Sequence, residues 1–318
     1  MTRLSVLMPV RNGMPYLPEA VGGILAQTFN DFELLVINNG STDGTIEYLR
    51  TLRDPRLRVL SPGDIGLARS LNIGLAQAKG RYVARHDADD RSTRDRFAKQ
   101  VAFLDANPGI AVLGTCVNFV DEHGDEVKDQ WTQVIRDQQD PAQTPEQILA
   151  MMPLTCCIAH GSVMMRTAVA LGAGGYNPAT VPAEDYDLWL RLLPDYKIAK
   201  LPDRLYDYRV HGDQSSGARR SEQQARTIEA KLRYVRRQVP ELPRPVRLVL
   251  PCDNYGATLF RRFGPAQGYD PSIRASAVAR GTDVVAVTDF SAIPYYQQVL
   301  TATTDCRQFG NLFVCSQS

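Results

Sequence analysis

The sequence predicts an α/β fold in which a mostly parallel central sheet is flanked by helices. Short apolar segments that end in polar turns alternate with helical segments over the first third of the chain, the pattern typical of parallel sheets. Hydrophobic residues make up 44% of the 318 residues and charged residues 22%, as in globular chains with one large domain or two small ones. Disorder, collagen and coiled coil are therefore excluded for the chain as a whole.

The strands and helices of this predicted sheet follow one another from the N-terminus. The strands are Leu4–Val10, 32–37, Leu57–Leu60 and 81–86, each a short apolar run that ends at a turn signal. The helices are 15–27, 43–52 and 66–78, with apolar side chains at helical spacing, and Asp43 is expected to cap the second. Because ligands bind beyond the carboxyl ends of parallel strands, the polar turns after the first, second and fourth strands are expected to line one cleft.

The pattern changes after about residue 110. Strands are predicted at 110–115, 160–166 and 204–210, and an amphipathic helix at 184–193. The segment from Arg219 to Arg247 has a helical pattern and carries nine Lys or Arg against three Glu. Residues 248–318 are interpreted as a small α/β extension, with strands at 246–250, 283–287 and 311–314.

The overall charge and the cysteines limit the partners and the compartment. The chain has 36 basic and 35 acidic residues, so it lacks the global field that attracts nucleic acid. Six cysteines, with Cys156 and Cys157 adjacent and no CxxC, indicate neither a disulfide framework nor a zinc site. No segment is apolar enough to span a bilayer, and no secretory signal opens the chain. We therefore expect a cytoplasmic protein without a nucleic-acid partner.

An acidic turn follows the predicted strand 81–86. In Asp87-Ala88-Asp89 two carboxylates two residues apart can face one hard cation, such as Mg²⁺ or Mn²⁺, that keeps open positions for diphosphate oxygens. The alternative is a solvated acidic turn, and the position of the motif at the predicted cleft favours the metal site.

Three further polar clusters have both a functional and a structural interpretation. The run from Asn38 to Asp43 can read the edge of a nucleotide base or simply form a turn and a helix cap. Glu184 and Asp185 begin a predicted helix, where the dipole stabilises an ionised carboxylate that serves as a cap or as a base. His211 follows a predicted strand, and its polar loop, which includes Arg209, can close over a phosphate.

Together these segments resemble the family 2 glycosyltransferases of the GT-A, Rossmann-like fold, which build bacterial polysaccharides and modify lipid carriers. The resemblance covers roughly residues 3–216. It is carried by nine segments in order: SVLMPVRN (5–12), QTFNDFEL (27–34), NNGSTD (38–43), GLARSLN (66–72), AKGRY (78–82), HDADD (86–90), GY (175–176), AEDYDLWLR (183–191) and YRVH (208–211). It implies a transferase domain at 1–216, with a nucleotide-binding half of about 1–115 and an acceptor-binding half of about 116–216. A basic helical linker at 217–247 and the C-terminal extension follow it.

The resemblance also implies roles for individual residues. Asp87 and Asp89 would hold Mn²⁺ or Mg²⁺, and His211 would bind metal or phosphate from the opposite side. Asp185 would be the general base, and Glu184 would position the acceptor or the donor sugar. The nucleotide-sugar site would comprise Pro9, Val10, Asn12, Asn39, Arg69, Asp87, Ala88 and Arg209.

The implied activity is the inverting transfer of a sugar from a nucleotide-diphosphate sugar to a saccharide or lipid-linked saccharide acceptor in cell-surface polysaccharide synthesis. The family usually has Asp where this chain has Asn39, and that carboxylate accepts the N3–H of uracil. An amide oxygen can accept the same hydrogen bond, although the amide NH₂ suits a different base, so a UDP-sugar is favoured. The basic helix either contacts anionic lipid headgroups from the inner face of the cytoplasmic membrane or packs the C-terminal extension onto the core.

Three other functions compete with this interpretation. A phosphatase with an aspartyl nucleophile usually has Thr or Val where Arg91 stands here. A sugar nucleotidyltransferase would have a Gly-rich basic loop after the first strand, where this chain has one Gly and one Arg. A catalytically degenerate binding protein is disfavoured because Asp87, Asp89 and Asp185 are all present.

Overall fold

The computed structural model of the chain describes residues 2–153, 155–212 and 219–238, together with four strands between 246 and 316. The strands of the large sheet are β1 (Leu4–Val10), β2 (Phe32–Asn38), β3 (Leu57–Leu60), β4 (Tyr82–Arg85), β5 (Arg91–Ser92), β6 (Ile110–Val120), β7 (Met164–Arg166) and β8 (Lys197–Arg209). The helices are α1 (Leu17–Leu25), α2 (Thr45–Thr51), α3 (Leu67–Gln77), α4 (Arg96–Ala106), α5 (Gln130–Gln139), α6 (Pro145–Met151), α7 (Thr167–Gly172), α8 (Glu184–Leu192) and α9 (Arg220–Gln238).

The large sheet has the strand order β3-β2-β1-β4-β7-β6-β8-β5. Strands β3, β2, β1 and β4 are parallel, as are β6 and β8, whereas β7 is antiparallel to both of its neighbours and β5 to β8. The predicted α/β class is therefore confirmed. Since the connections change direction between β1 and β4, a crevice opens at the carboxyl ends of these strands, where doubly wound sheets bind ligands.

Apolar side chains of β1 and β2 fill a core on each face of the sheet. Leu7, Leu35 and Ile37 pack on one side with α3, and Val6 and Leu34 pack on the other. Strands covered on both faces carry nearly continuous apolar runs. That is why these strands could be recognised from the sequence.

Helix α4 was not predicted, because polar residues occupy its buried face. Arg96 and Gln100 are fully buried beside Phe97 and Val101. The Arg96 guanidinium donates to the Gln100 side chain and to the Arg85 carbonyl. These hydrogen bonds satisfy groups that a hydrophobic pattern counts as exposed.

Several predicted boundaries differ from the structure. Strands β6 and β8 are longer than the predicted 110–115 and 204–210 because they pair along most of their length. Strand β7 is shorter than 160–166, since His160–Ser162 forms a 3₁₀ turn. The cap residue of α2 is Gly44, with φ +90°, and not the predicted Asp43, whose carboxylate accepts hydrogen bonds from the N–H and the hydroxyl of Thr45.

The basic helix α9 packs against α8. Arg233 donates to the buried carboxylate of Asp187 at 2.7 Å, and Arg237 pairs with Asp195. Lys231 is buried, with its ammonium group 5.8 Å from the centre of the Tyr186 ring. Within the described part of the chain, no helix combines the length and apolar content that a bilayer span requires.

The predicted C-terminal strands are present as a second sheet. Strands β9 (Val246–Pro251), β10 (Val284–Val287), β11 (Asp305–Phe309) and β12 (Leu312–Ser316) form it in the order β10-β9-β12-β11. The rest of the predicted extension, the end of the basic segment at 239–245 and the polar loop 213–218 lie outside the described residues.

Candidate active site

The polar turns after β1 and β2 are joined at one edge of the sheet. Asn12 has a positive φ of 53°, its backbone N–H donates to the Ser41 hydroxyl at 2.9 Å, and its side-chain oxygen accepts the Thr42 N–H at 2.8 Å. The Asp43 carboxylate accepts the N–H of Met14 at 2.8 Å. Side chains of the second turn therefore shape the first, and the two turns form one surface.

Asn39 connects this surface to the start of α3. Its backbone N–H donates to the Val10 carbonyl at 2.7 Å. Its side-chain oxygen accepts two backbone hydrogen bonds, from Ile65 at 2.8 Å and from Gly66 at 3.0 Å. A carbonyl oxygen has two lone pairs, so both are used, and the amide nitrogen is the polar group of this side chain that remains for a ligand.

The other predicted nucleotide-binding residues surround this edge. Pro9 and Val10 are buried at the end of β1, and their backbone borders the two turns. Arg69 is exposed in the first turn of α3. Ala88 is partly buried between the two carboxylates of the acidic turn. Their contact with a nucleotide stays a prediction.

The acidic turn after β4 is held by buried polar groups. Arg85 is buried and pairs with the Asp87 carboxylate, and the Asp87 backbone N–H donates to the Tyr206 hydroxyl at 3.0 Å. Burial raises the pKa of Asp87, the positive charge of Arg85 lowers it, and the nearby charge of Asp89 raises it. Burial raises the pKa of the neighbouring Asp90 still further.

Asp89 and His211 form the best-placed pair of metal-ligand side chains. The His211 Nε2 atom lies 3.0 Å from an Asp89 carboxylate oxygen, and the imidazole ring packs against Tyr16. Among the described residues, no three His, Cys, Asp or Glu side chains already converge on one point. A carboxylate and an imidazole nevertheless fit Mn²⁺, and diphosphate oxygens and water can complete its coordination. Asp87, two residues before Asp89, pairs with Arg85 through one of its two carboxylate oxygens.

Arg209 is buried below the acidic turn. Its guanidinium donates to the Asp89 carbonyl at 2.8 Å and to the Glu122 carbonyl at 2.9 Å, and it pairs with Glu19. Its backbone N–H donates to the Asp90 carboxylate at 2.7 Å. These hydrogen bonds of Arg209 go to protein groups, so its position suits a residue that orients Asp89 better than it suits a residue that binds phosphate. The predicted phosphate-binding role of Arg209 stays a prediction.

Glu184 and Asp185 begin α8, as predicted, and lie within the electrostatic reach of the acidic turn. Burial raises the pKa of Asp185 to about 6 and that of Glu184 to about 7. The positive charge of Arg85 lowers both pKa values, and the negative charge of Asp87 raises both. Within the described residues, one buried oxygen of the Glu184 carboxylate has no hydrogen-bond partner. The structure thus brings the two predicted acidic groups into one site, although they are about a hundred residues apart in the sequence.

Sequence reasoning missed the buried polar residues that support this site. His160 lies 3.0 Å from the Tyr176 hydroxyl, and Asn72 bonds both the N–H and the carbonyl of Tyr176. The pKa of Tyr176 is raised by burial, and the charges of Asp185 and Glu184 contribute. Arg85 was visible as a charge at the end of an otherwise apolar strand, and Asn72 and Tyr176 lie in segments that carry the family resemblance, although no role was assigned to them.

Comparison with known proteins identifies related sequences. The family model described as "Glycosyl transferase family 2" matches residues 5–171. The chain is 30% identical over 220 residues to the O-antigen biosynthesis glycosyltransferase WbnJ of Escherichia coli, an alignment that covers 65% of this chain and 80% of WbnJ. It is also 30% identical over 231 residues to an uncharacterized glycosyltransferase of Haemophilus influenzae, covering 69% of each chain.

Solved structures with the same fold include two complexes. The crystal structure of S. aureus TarS 1–349 in complex with UDP-GlcNAc matches with a TM-score of 0.58 and 19% identity, covering 74% of this chain and 66% of TarS. The mannosyltransferase PcManGT from Pyrobaculum calidifontis, in complex with GDP-Man and Mn²⁺, matches with a TM-score of 0.54 and 20% identity, covering 95% and 81% of the two chains. At these identities the likeness shows the fold alone, and the GT-A fold expected from the sequence is confirmed.

Proposed function

This chain belongs to glycosyl transferase family 2, and from that premise we propose that it transfers a sugar, with inversion, from a nucleoside-diphosphate donor to a hydroxyl group of a saccharide or lipid-linked saccharide. The observation that carries the proposal is the convergence of the acidic turn after β4 with Glu184 and Asp185. The name of WbnJ, an O-antigen biosynthesis enzyme, supports a role in cell-surface polysaccharide synthesis.

Asp185 acts as the general base of the transfer. Its pKa of about 6 leaves it ionised at neutral pH and still basic enough to accept a proton. As the acceptor oxygen bonds to the anomeric carbon, its proton passes to the Asp185 carboxylate, and the bond from that carbon to the diphosphate oxygen breaks. The displacement occurs from the side opposite the leaving group, so the anomeric configuration inverts. Glu184, whose buried oxygen lacks a protein partner among the described residues, positions a hydroxyl group of the acceptor or donor sugar.

The opposite side of the site holds the donor. Asp89 and His211, with Asp87, would bind Mn²⁺ or Mg²⁺, which would supply positive charge for the leaving nucleoside diphosphate. Arg85 balances the charge of Asp87, and the edge formed by Asn12 and its neighbours lines the nucleoside. The sequence favours a UDP-sugar as the donor. The hydrogen bonds of the Asn39 oxygen to Ile65 and Gly66 instead favour a base that presents a hydrogen-bond acceptor to the Asn39 amide NH₂.

A panel of nucleotide sugars tests the proposed function. We expect one donor class to stabilise the protein in a thermal-shift assay with Mn²⁺ or Mg²⁺, and EDTA to abolish most of that stabilisation. The same donor should be hydrolysed slowly without an acceptor and transferred to a saccharide acceptor. Binding without hydrolysis or transfer would identify a catalytically degenerate protein, and no binding by any donor would contradict the proposed function.

Peripheral membrane contact through the segment 219–247 is tested separately. Four described arginines of this segment, Arg219, Arg226, Arg233 and Arg237, are each ion-paired with an acidic residue of the chain. We therefore expect the protein to remain in the supernatant when anionic liposomes are sedimented at low ionic strength. Binding that weakens as salt rises would show instead that this segment contacts lipid headgroups.

A further inference from the structure

We infer that Asn39 selects a donor base that offers it a ring hydrogen-bond acceptor, N3 of cytosine, over the N3–H of uracil. The inference rests on the proposed function, because it concerns the base of the nucleotide donor. It replaces the expectation from sequence that an amide oxygen at this position accepts the imino proton of uracil.

The orientation of the Asn39 amide follows from its partners. Amide oxygen and nitrogen atoms are normally assigned from the hydrogen-bond network. Here both partners of one side-chain atom are backbone N–H groups, of Ile65 and Gly66, which can only donate. That atom must be the oxygen, and the opposite orientation would place NH₂ against two donors.

Turning the side-chain oxygen of Asn39 toward a ligand would also cost free energy. Asn39 is only 7% exposed, and its backbone is tied to β1 through the Val10 carbonyl. At the next residue, Gly40, an added Cβ would lie 3.0 Å from the Asp64 backbone, so the turn and the loop before α3 are closely packed. Rotation of the side chain would break both hydrogen bonds that hold this loop. The donor NH₂ is therefore what the side chain presents to a base.

The position of Asn39 makes it a base-reading residue. It follows the carboxyl end of β2, next to the end of β1, at the edge where a doubly wound sheet binds nucleotides. A donor at this point complements N3 of cytosine, whereas it opposes the N3–H of uracil and the N1–H of guanine, which are themselves donors. One well-placed hydrogen bond at a buried position is enough for about tenfold discrimination.

The test compares UDP, CDP and GDP by isothermal titration with Mn²⁺, for the wild type and for Asn39→Asp. In the wild type, CDP should bind about tenfold more tightly than UDP or GDP. In Asn39→Asp, one carboxylate oxygen can keep the Ile65 and Gly66 N–H groups while the other becomes an acceptor, so the preference should shift toward UDP by a similar factor. Asn30→Asp is the matched control, since Asn30 is exposed and precedes the amino end of β2, at the edge of the sheet away from Asn39, and it should leave the ranking unchanged.

The possible results separate this inference from the proposed function. If wild-type protein binds UDP or GDP most tightly, the inference is overturned and the proposed function stands, whether or not Asn39→Asp folds. If both Asp variants shift the ranking equally, added charge and not the Asn39 contact controls it, and the inference is again overturned. If folded wild-type protein binds none of the three nucleotides, the proposed function fails together with the inference.

Discussion

Substitution of Asp185 by Asn is expected to lower the transfer rate by about 10²- to 10⁴-fold, the usual contribution of a general base. The amide keeps the shape of the carboxylate but cannot accept the proton of the acceptor hydroxyl. Donor binding should be retained, because Asp185 is not among the residues proposed to hold the metal ion or the nucleotide. Steady-state transfer measured at saturating donor, with donor affinity from titration, separates a loss in kcat from a loss in binding.

The pH dependence gives a second readout of the same residue. A base whose pKa is about 6 is ionised at neutral pH, so the wild-type kcat should fall as the pH drops through 6, and the residual rate of Asp185→Asn should not follow this profile.

The same raised pKa predicts an effect on stability. A carboxyl group whose pKa is raised by folding lowers the free energy of unfolding at pH values above that pKa, and this destabilisation disappears as the pH falls below it. Asp185→Asn should therefore be more stable than the wild type at pH 8, by about 1 to 3 kcal/mol.

Asp195 offers a matched control for the Asp185→Asn variant. Asp195→Asn changes an exposed aspartate just beyond the same helix, which pairs with Arg237, and should leave kcat and its pH profile unchanged. If Asp185→Asn transfers sugar at the wild-type rate, Asp185 is not the base, and its carboxylate serves only as a negative charge in the first turn of α8, where it interacts with the helix dipole.

Replacing Asp89 by Ala is expected to abolish most metal-dependent binding of the donor nucleotide and to lower kcat/KM by at least about 10²-fold. Asp89 supplies the carboxylate that lies 3.0 Å from His211. The Ala variant should keep the backbone of the turn, because Arg209 holds the main-chain carbonyl of residue 89. Titration of Mn²⁺ in the presence of a nucleoside diphosphate, followed by thermal shift, measures the loss.

A matched control separates the loss of a metal ligand from a general loss of charge. Asp203→Ala removes a partly exposed aspartate that pairs with Lys99, and we expect normal donor binding and normal metal dependence. Equal stabilisation of Asp89→Ala and the wild type by Mn²⁺ and nucleotide would show that Asp89 is not a metal ligand. In that case Asp87 would be the remaining carboxylate of the turn that could bind the ion.

The parallel half of the fold was predictable because burial on both faces leaves a direct trace in the sequence. Strands β1 and β2 are fully buried over their length, and such continuous apolar runs are typical of strands covered on both faces. The hydrophobic pattern predicts a strand less well where the extent of that strand depends on pairing with a neighbouring strand and not on hydrophobicity. Strand β8 begins at Lys197 and contains Pro202, and its extent depends on its partner β6.

The candidate site was predictable as a set of residue types but not as an arrangement. Asp87, Asp89 and Asp185 could be singled out because they stand at the ends of predicted elements, and the resemblance to a family supplied their roles. The distance between the acidic turn and α8, the pairing of Asp87 with Arg85 and the support from Tyr206 depend on chain segments far apart in the sequence.

The sequence by itself determined the fold class, the edge of the sheet that carries the site and the ionisable groups available there, since each depends on local patterns and strand order. Only the tertiary structure decided how those groups behave. The raised pKa of Asp185 depends on burial by distant segments, the neighbouring positions of Asp89 and His211 depend on the packing of β8, and the orientation of Asn39 depends on the backbone of Ile65 and Gly66. A sequence pattern records which groups are present, whereas hydrogen bonding and desolvation depend on which groups come close in space.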